Sequence, residues 1–377
     1  MVRGFGLIAG AVSLALTAAS ASAAADTSRA IAVQGVWRGT LATQPIQACF
    51  NNRETDSFGA YFYLSKLVTI PLVKDDKGEL LFSEGWPDDP KAPRWALTPI
   101  GANELAGTWQ QGSKTFALRL TRVPLGKLGE DDSPCGSLAF EQPRLNGIHI
   151  VRTRGTTDGV GYAKLTLDVR GHFPSVSVES FQLDGHGGAV ERINRVLEKP
   201  FAKENEESWL GCVRSSFNSS PWGAEHNESF EPQLITRKWL AVNHHWDGFC
   251  GGAHPDSSNS PRLFDLTSGA EVNLFDWFND KAVKREHLGG EAGNVVTIRP
   301  AFQKMLMAGW KGDDECRDAI AGQDFWSVAL TRSGFSLTPS LAHVVQACTE
   351  DFNLSFARAA PYLNATGKRE VEAFNRR

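Results

Sequence analysis

The amino-acid sequence predicts an α+β fold with two parts of different character. Short strand-like segments separated by turn residues recur through residues 33–123, which is typical of an antiparallel meander or a small barrel. In the second half, strand-like and helix-like segments follow one another without the regular alternation of a parallel sheet. With 377 residues, 41% of them hydrophobic, the chain is long enough for two domains that each bury a core.

The N-terminal part, residues 30–124, is predicted to consist of β-strands. Its candidate strands combine β-branched, aromatic and aliphatic residues, and turn sequences such as Asp-Asp-Lys-Gly at 75–78 separate them. The predicted strands are 35–41, 60–64, 95–97, 104–109 and 115–120. Residues 125–164 are rich in Gly, Pro, Asp and Arg without sustained periodicity, so we expect a linker and loops there.

The C-terminal part, residues 165–377, is predicted to hold an antiparallel sheet with packed helices. Val190, Ile193 and Leu197 fall at helical spacing, which predicts an amphipathic helix over 187–199. The pattern of 233–243 is typical of a hairpin. The other predicted strands are 165–169, 175–178, 264–274 (strand, turn, strand), 325–330 and 351–356, and the other predicted helices are 300–310 and 313–321.

The first residues have the pattern of a secretory signal peptide. Arg3 precedes a short apolar run, and Ala-Ser-Ala at 21–23 matches the small-x-small sequence that signal peptidase accepts. We expect cleavage after Ala23 and export to a bacterial periplasm or the medium. No later stretch approaches ~20 uninterrupted apolar residues, so no membrane span is expected after signal cleavage.

The six cysteines suit an oxidising compartment. Their number is even, and none forms a short metal-type spacing, which argues against a zinc ribbon or a redox motif. Their order along the chain suggests sequential pairing: Cys49 with Cys135, Cys212 with Cys250, and Cys316 with Cys348. Each bridge would stabilise the fold by roughly 3–4 kcal/mol in the chain-entropy model.

Charge and aromatic content narrow the possible partners. Lys and Arg number 39 against 43 Asp and Glu, and the formal net charge of −4 gives no electrostatic footprint for nucleic acid. Eleven Trp residues against four Tyr favour rigid sheet packing or flat binding surfaces.

The densest polar cluster lies at 244–254 and contains His244, His245, Asp247 and His254. Neighbouring residues on a strand point to opposite faces, so His244 and His245 cannot readily share one site. His245, Asp247 and His254 remain binding candidates, with metal ligation as the sharper alternative. The structural interpretation is that His254 holds a Gly-Gly turn by hydrogen bonding, and that its removal lowers stability by about 1–3 kcal/mol.

No complete catalytic constellation can be assembled from the sequence. A Gly-x-Ser-x-Gly nucleophile elbow is absent, and the paired aspartates lie in turn contexts where Asp is favoured for local hydrogen bonding. Cys250 is expected in a disulfide rather than as a nucleophile. We therefore predict no catalytic residue, no metal and no cofactor.

Several motifs resemble the RsiV-like C-terminal domain, an extracytoplasmic family. They are Gly-Gly-Ala-His-Pro at 251–255, Phe-Asp-Leu-Thr-Ser-Gly at 264–269 and Leu-Phe-Asp-Trp-Phe at 274–278, with supporting stretches upstream at 173–176 and 193–194 and downstream at 335–339 and 354–363. The resemblance covers roughly 173–363 and implies an envelope binding or sensing module without catalytic residues. The chain departs from the family pattern because it has no transmembrane helix or recognisable deacetylase part.

Two functional hypotheses follow. The first is a periplasmic or secreted, non-catalytic protein that contacts an envelope component, either a protein or a peptidoglycan-type glycan. The second is a cell-wall-directed hydrolase, either with or without a metal near His254. The absence of a complete catalytic constellation favours the first, because enzymes need several groups held in mutual geometry.

Overall fold

The computed structural model describes residues 33–52, 57–78, 80–129, 132–202, 208–289 and 293–375. The predicted signal peptide, residues 1–23, lies outside the described residues. The chain forms two compact units. The first contains the described residues up to 146 together with 171–174 and 213–223, and the second contains 147–170, 175–212 and the residues from 224 onwards.

The first unit is a closed barrel of eight antiparallel strands in chain order. Its strands are β1 (Gly35–Leu41), β2 (Gln44–Asn52), β3 (Ser57–Tyr63), β4 (Ile70–Lys74), β5 (Leu81–Glu84), β6 (Arg94–Gly101), β7 (Glu104–Gln111) and β8 (Lys114–Val123). Strand β1 pairs with both β2 and β8, which closes the barrel. The turn spacing predicted an antiparallel meander or a small barrel, and the barrel is confirmed. Sequence patterning missed β2, β4 and β5. Strand β2 carries several polar residues and a proline.

A single carboxylate organises the aromatic interior of this barrel. Oε1 of Glu84 accepts hydrogen bonds from the Tyr61 hydroxyl at 2.6 Å, from Trp109 Nε1 at 2.7 Å and from Trp95 Nε1 at 3.0 Å. Burial and the neighbouring charge of Glu84 raise the pKa of Tyr61 above its ordinary value. The carboxylate thus satisfies polar atoms that would otherwise be unpaired beside the barrel core.

The predicted linker at 125–164 is wrong in most of its length. Helix α1 (Leu138–Glu141) and a 3₁₀ turn (Gln142–Leu145) follow the barrel, and most of the remaining segment forms two strands of the second unit. The first of those strands is exposed on both faces over nearly all its length, so its sequence has no apolar alternation to reveal it.

The second unit is built on a large sheet with the strand order β15-β14-β13-β12-β11-β10-β9. These strands are β9 (His149–Thr157), β10 (Val160–Asp168), β11 (Val176–Leu183), β12 (Glu225–Ile235), β13 (Trp239–Phe249), β14 (Asp256–Asp265) and β15 (Glu271–Val272). Only β11 and β12 run parallel among the paired strands of this sheet. Their connection passes through α2 (Gly188–Leu197) and α3 (Trp209–Ser219).

Beyond the large sheet lie a hairpin and a small sheet. The hairpin is β16 (Val283–Gly289) with β17 (Gly293–Ile298), and the small sheet is β18 (Trp326–Leu330), β19 (Gly334–Pro339) and β20 (Phe352–Ser355). The remaining helices are α4 (Pro300–Leu306), α5 (Asp314–Ala321), α6 (Phe356–Ala359) and α7 (Ala365–Asn375), and further 3₁₀ turns are Lys199–Phe201, Leu274–Trp277, His343–Cys348 and Ala360–Tyr362. The predicted α+β class is confirmed.

Two hydrophobic cores lie on opposite faces of the large sheet. One contains Phe181, Leu240 and Phe264 together with Ile193 and Leu197 of α2. The other contains residues of β13 and β14 together with the buried face of the small sheet; its members include Trp239, Ala241, Leu263, Trp277, Phe302, Val328 and Phe335. Alternate residues of β13 therefore serve different cores, as the two-residue period of a strand requires.

Three disulfides join the cysteines in the predicted pairs. Cys49 is bonded to Cys135 within the first unit, and Cys212–Cys250 and Cys316–Cys348 lie within the second. The sequential pairing inferred from cysteine order is confirmed. Among the described residues, no helix combines the length and apolar character that a membrane span needs.

Candidate functional site

The hairpin of β12 and β13 presents different polar groups on its two faces. His244 contacts Glu228, whereas its neighbour His245 contacts Asp247, so the two imidazoles lie on opposite faces of the sheet. The prediction that they cannot share one site is confirmed.

A carboxylate between two imidazoles lies on the face that packs against α2. Glu228 Oε1 is 2.8 Å from His244 Nε2, and Glu228 Oε2 is 3.3 Å from His226 Nε2. Burial by itself would raise the pKa of Glu228, but the hydrogen bonds and charge of the two histidines outweigh it and lower the pKa to about 2. The Phe230 ring stacks on His244 with ring centroids 4.2 Å apart. This cluster is packed into the protein and has the character of a structural element.

Sequence reasoning missed this cluster. His226 and Glu228 share a face because they are two residues apart on one strand, but His244 joins them only through the pairing of β12 with β13. The one sequence signal was the His-x-Glu spacing at 226–228, which places two side chains on one face of a strand but names no third partner.

Three residues of metal-ligand type lie beside this cluster, but two of them are joined to each other by a covalent bond. Among the described residues, ligand atoms of Cys212, His226 and Cys250 lie within 4.8 Å of one another. The two cysteines form a disulfide, so neither offers a thiolate while it is oxidised. The three side chains therefore pack together and do not form a metal centre in the oxidised protein.

The predicted candidates His245 and Asp247 meet on the opposite face. His245 Nε2 is 2.8 Å from Asp247 Oδ1, and His245 Nδ1 is 3.0 Å from Asn259 Oδ1. The Asn227 amide, which donates to Asp247 Oδ2 at 3.1 Å, and the nearby His245 lower the pKa of Asp247. The pairing of β12, β13 and β14 sets Asn227, Asp247 and Ser257 in one row and Ser229, His245 and Asn259 in the next. This surface is a continuous polar face.

His254 lies apart from the other two candidates. It is exposed in the loop after Cys250, its Nδ1 is 3.0 Å from the Pro255 carbonyl oxygen, and its ring stacks on His343 with centroids 4.6 Å apart. Gly251 and Gly252 have positive φ angles of 97° and 106°, as expected for a tight turn. Exposure contradicts the expectation that His254 is a buried group holding this turn, because an exposed side chain can exchange its hydrogen bond with water.

A cleft of about 750 Å³ separates the polar face of the large sheet from the small sheet. Buried residues alternate with polar ones along the strands of the small sheet. In the register of these strands, Ser327 lies opposite Thr338 and Ser336 lies opposite Asn353. These polar side chains face the cleft. On the other wall lie Gln233, Asn243, Ser257, Ser258, Asn259 and Ser260. We call this space the cleft.

Hydroxyl and amide groups in the cleft retain hydrogen-bonding capacity. Asn243 Nδ2 donates to Asn259 Oδ1 at 3.3 Å, and Gln346 Nε2 donates to Ser257 Oγ at 2.9 Å. The side chains of Gln233, Ser327, Ser336 and Asn353 have no hydrogen-bond partner among the described residues. Two charged residues line the cleft among the described residues: Arg262, whose guanidinium lies over the Phe230 and Phe264 rings and is paired with Glu271 at 2.7 Å, and Asp351, which accepts a hydrogen bond from Thr338.

The first unit carries a separate aromatic feature at its surface. The rings of Trp86 and Trp222 contact each other with centroids 4.9 Å apart, although the two residues are 65% and 47% exposed. Arg94 Nη2 donates to the Pro87 carbonyl at 2.6 Å and thereby fixes the loop of Trp86. The two rings are inclined to each other by 36°, so the pair is an exposed aromatic contact rather than a single flat surface.

The fold and the cleft define an α+β protein with a barrel unit and a disulfide-bonded unit that presents a polar, hydroxyl-rich cleft. Comparisons with protein-family models and with curated proteins return no match. Among solved structures, the chain is similar to a DUF3298 family protein from Pseudomonas aeruginosa PAO1, with 15% identity, a TM-score of 0.35, and coverage of 58% of this chain and 94% of that one. It is also similar to a DUF3298 family member from Bacteroides fragilis NCTC 9343, with 12% identity, a TM-score of 0.31, and coverage of 58% and 92%.

Proposed function

We propose that this protein is a periplasmic or secreted, non-catalytic binding protein that contacts a component of the cell envelope through the cleft. The observation that carries the proposal is the cleft itself. Its volume of about 750 Å³ falls within the range of ~300–1,000 Å³ usual for ligand pockets. Its walls supply unpartnered hydroxyl and amide groups, which can exchange their hydrogen bonds with water for bonds to a ligand.

The disulfides support an extracytoplasmic location. Bridges of this kind persist in oxidising compartments and are rare in the bacterial cytosol. The signal-peptide pattern of residues 1–23 and the resemblance of 173–363 to the RsiV-like C-terminal domain point to the same compartment, and the resemblance also implies an envelope-binding role.

Cosedimentation with insoluble envelope fractions tests this function. We expect the unaltered protein to pellet with one of these fractions, and Ser336→Trp to remain in the supernatant because the indole fills the cleft. Thr153→Trp, on the exposed strand β9, is the matched control and should pellet normally. Circular dichroism of each variant verifies folding. Failure of the unaltered protein to pellet with any fraction, or normal pelleting of folded Ser336→Trp, would overturn the proposal.

The alternative of a cell-wall-directed hydrolase rests on one observation. His245 and Asp247 form an imidazole–carboxylate pair at 2.8 Å on the polar face, and such a pair can orient a general base. Its partner Asn259 lines the cleft. Release of reducing ends from cell-wall glycan by the unaltered protein, but not by His245→Gln, would establish hydrolysis and contradict the non-catalytic proposal.

A further inference from the structure

We infer that the ligand of the cleft is a neutral glycan that carries N-acetyl groups. This inference rests on the proposed function, since it names the class of envelope component that the cleft takes. Three properties of the cleft carry it: its low charge, the distribution of its hydrogen-bonding groups, and the apolar residues between them.

The charge of the cleft favours a neutral ligand. The Arg262 guanidinium lies over the Phe230 and Phe264 rings on the face of the sheet turned away from the cleft, where it is paired with Glu271. Asp351 accepts a hydrogen bond from Thr338. An anionic polymer would find no unpaired cation among the described lining residues. Transfer of an anionic group into the cleft would therefore lose hydration without a matching ion pair, and a cationic ligand would find only the single carboxylate of Asp351 among the described lining residues.

The free hydrogen-bonding groups match an amide and several hydroxyls. Asn259 uses its side-chain oxygen on Asn243 and His245, so its amide nitrogen remains a donor. Asn243 donates to Asn259, so its own oxygen remains an acceptor. An N-acetyl group needs one acceptor for its N–H and one donor for its carbonyl, and Ser327 and Ser336 on the opposite wall can bond to sugar hydroxyls.

Apolar side chains lie between these polar groups. Ala241, Leu274 and Val328 line the cleft and belong to the hydrophobic core that lies beneath it. The methyl of an acetyl group would bury its surface against these residues, which is favourable by about 25 cal/mol per Å².

The backbone of β14 argues against an extended peptide as the occupant. The Leu266 amide donates to the Lys238 carbonyl, on the side of β13, whereas the Asp265 amide donates to the Ala270 carbonyl, on the opposite side of β14. Odd-numbered residues of β14 therefore direct their backbone N–H and C=O groups away from β13. Pro261 has no N–H, and the N–H of Ser257 is bonded to Asp256. Along residues 257–261, Asn259 alone offers a complete donor and acceptor on this edge, so a peptide strand would find no regular hydrogen-bond ladder along β14.

Titration of the purified protein with chitotriose, the trimer of N-acetylglucosamine, tests this inference by isothermal calorimetry or by NMR shifts. We expect saturable binding of chitotriose and no saturable binding of the deacetylated glucosamine trimer, which lacks the methyl and carbonyl groups and is cationic. Asn259→Ala should bind chitotriose about three- to tenfold more weakly, as the loss of one hydrogen bond predicts. Asn103→Ala, an exposed asparagine in the first unit, is the matched control and should bind normally.

Absence of chitotriose binding, equal binding of both trimers, or normal binding by folded Asn259→Ala would overturn the inference. The cosedimentation experiment separates this failure from failure of the proposed function. If Ser336→Trp abolishes pelleting while chitotriose does not bind, the cleft binds an envelope component of another class. If the unaltered protein neither pellets nor binds chitotriose, both proposals are wrong.

Discussion

Glu228 and His244 meet across strands β12 and β13, with Glu228 Oε1 2.8 Å from His244 Nε2, while His226 approaches the other carboxylate oxygen at 3.3 Å. The carboxyl side chain is only 13% exposed, so its ionised form is tied to the folded state of the sheet. This linkage makes the stability of the second unit depend on pH.

We expect the free energy of unfolding to fall as the pH drops from about 4.5 towards 2. The pKa of Glu228 is lowered from 4.5 to about 2 in the folded protein. The stabilising contribution of the ionised carboxylate is therefore fully present above pH 4.5, the pKa in the unfolded chain, and is lost as the pH falls through about 2. After a discount for partial solvent screening, the contribution is about 2 kcal/mol. Urea unfolding at several pH values measures it. Glu228→Gln should flatten this dependence, whereas Glu225→Gln, at an exposed position of β12, should preserve it. An unchanged slope in Glu228→Gln would contradict the linkage.

Removal of the barrel carboxylate should destabilise the first unit strongly. Glu84→Ala leaves the buried Tyr61 hydroxyl and Trp95 indole N–H without their acceptor, and each unsatisfied group costs about 1–3 kcal/mol. Glu84→Gln retains an oxygen and should lose less. Denaturant unfolding followed by near-ultraviolet circular dichroism reports the change. Glu104→Ala, exposed on β7, serves as the control; a loss of stability no larger than this control shows would refute the role of Glu84.

Replacement of His254 should hardly affect stability. Its side chain is exposed, so we expect His254→Ala to change the free energy of unfolding by no more than about 0.5 kcal/mol. His226→Ala should cost about 1–3 kcal/mol, because His226 is 1% exposed and hydrogen-bonded. Thermal melts compare the two variants. If both variants lose the same stability, the structural role first expected for His254 is supported. If a chelator lowers the melting temperature of the unaltered protein, a metal site is supported instead.

The disulfide between Cys212 and Cys250 should contribute substantially to the second unit. It joins residues 38 positions apart, for which the chain-entropy model gives about 4 kcal/mol. The double variant with both cysteines changed to serine should therefore melt at a clearly lower temperature. The Cys316–Cys348 bridge closes a comparable separation of 32 residues, so its double serine variant should show a similar loss. Melting of either variant at the unaltered temperature would show that the bridge does not constrain the unfolded chain.

Local features of the sequence determined the fold class and the covalent framework. Turn residues at short intervals predicted an antiparallel meander or a small barrel, because in both each strand is joined to the next by a short turn. The order of the cysteines predicted all three bridges, since sequential pairing closes loops within each part of the chain. The opposite orientation of His244 and His245 followed from the two-residue period of a strand.

Only the tertiary structure decided where the polar groups meet. Asn243 and Ser336 lie on strands far apart in the chain, and each has the ordinary appearance of a solvated strand residue. Glu228 meets His244 because of strand register, and β9 escaped prediction because a strand exposed on both faces has no apolar alternation. Periodicity reports which side of an element is buried, whereas the position of the cleft depends on which sheets face each other, and that is set by the packing of the hydrophobic core beneath them.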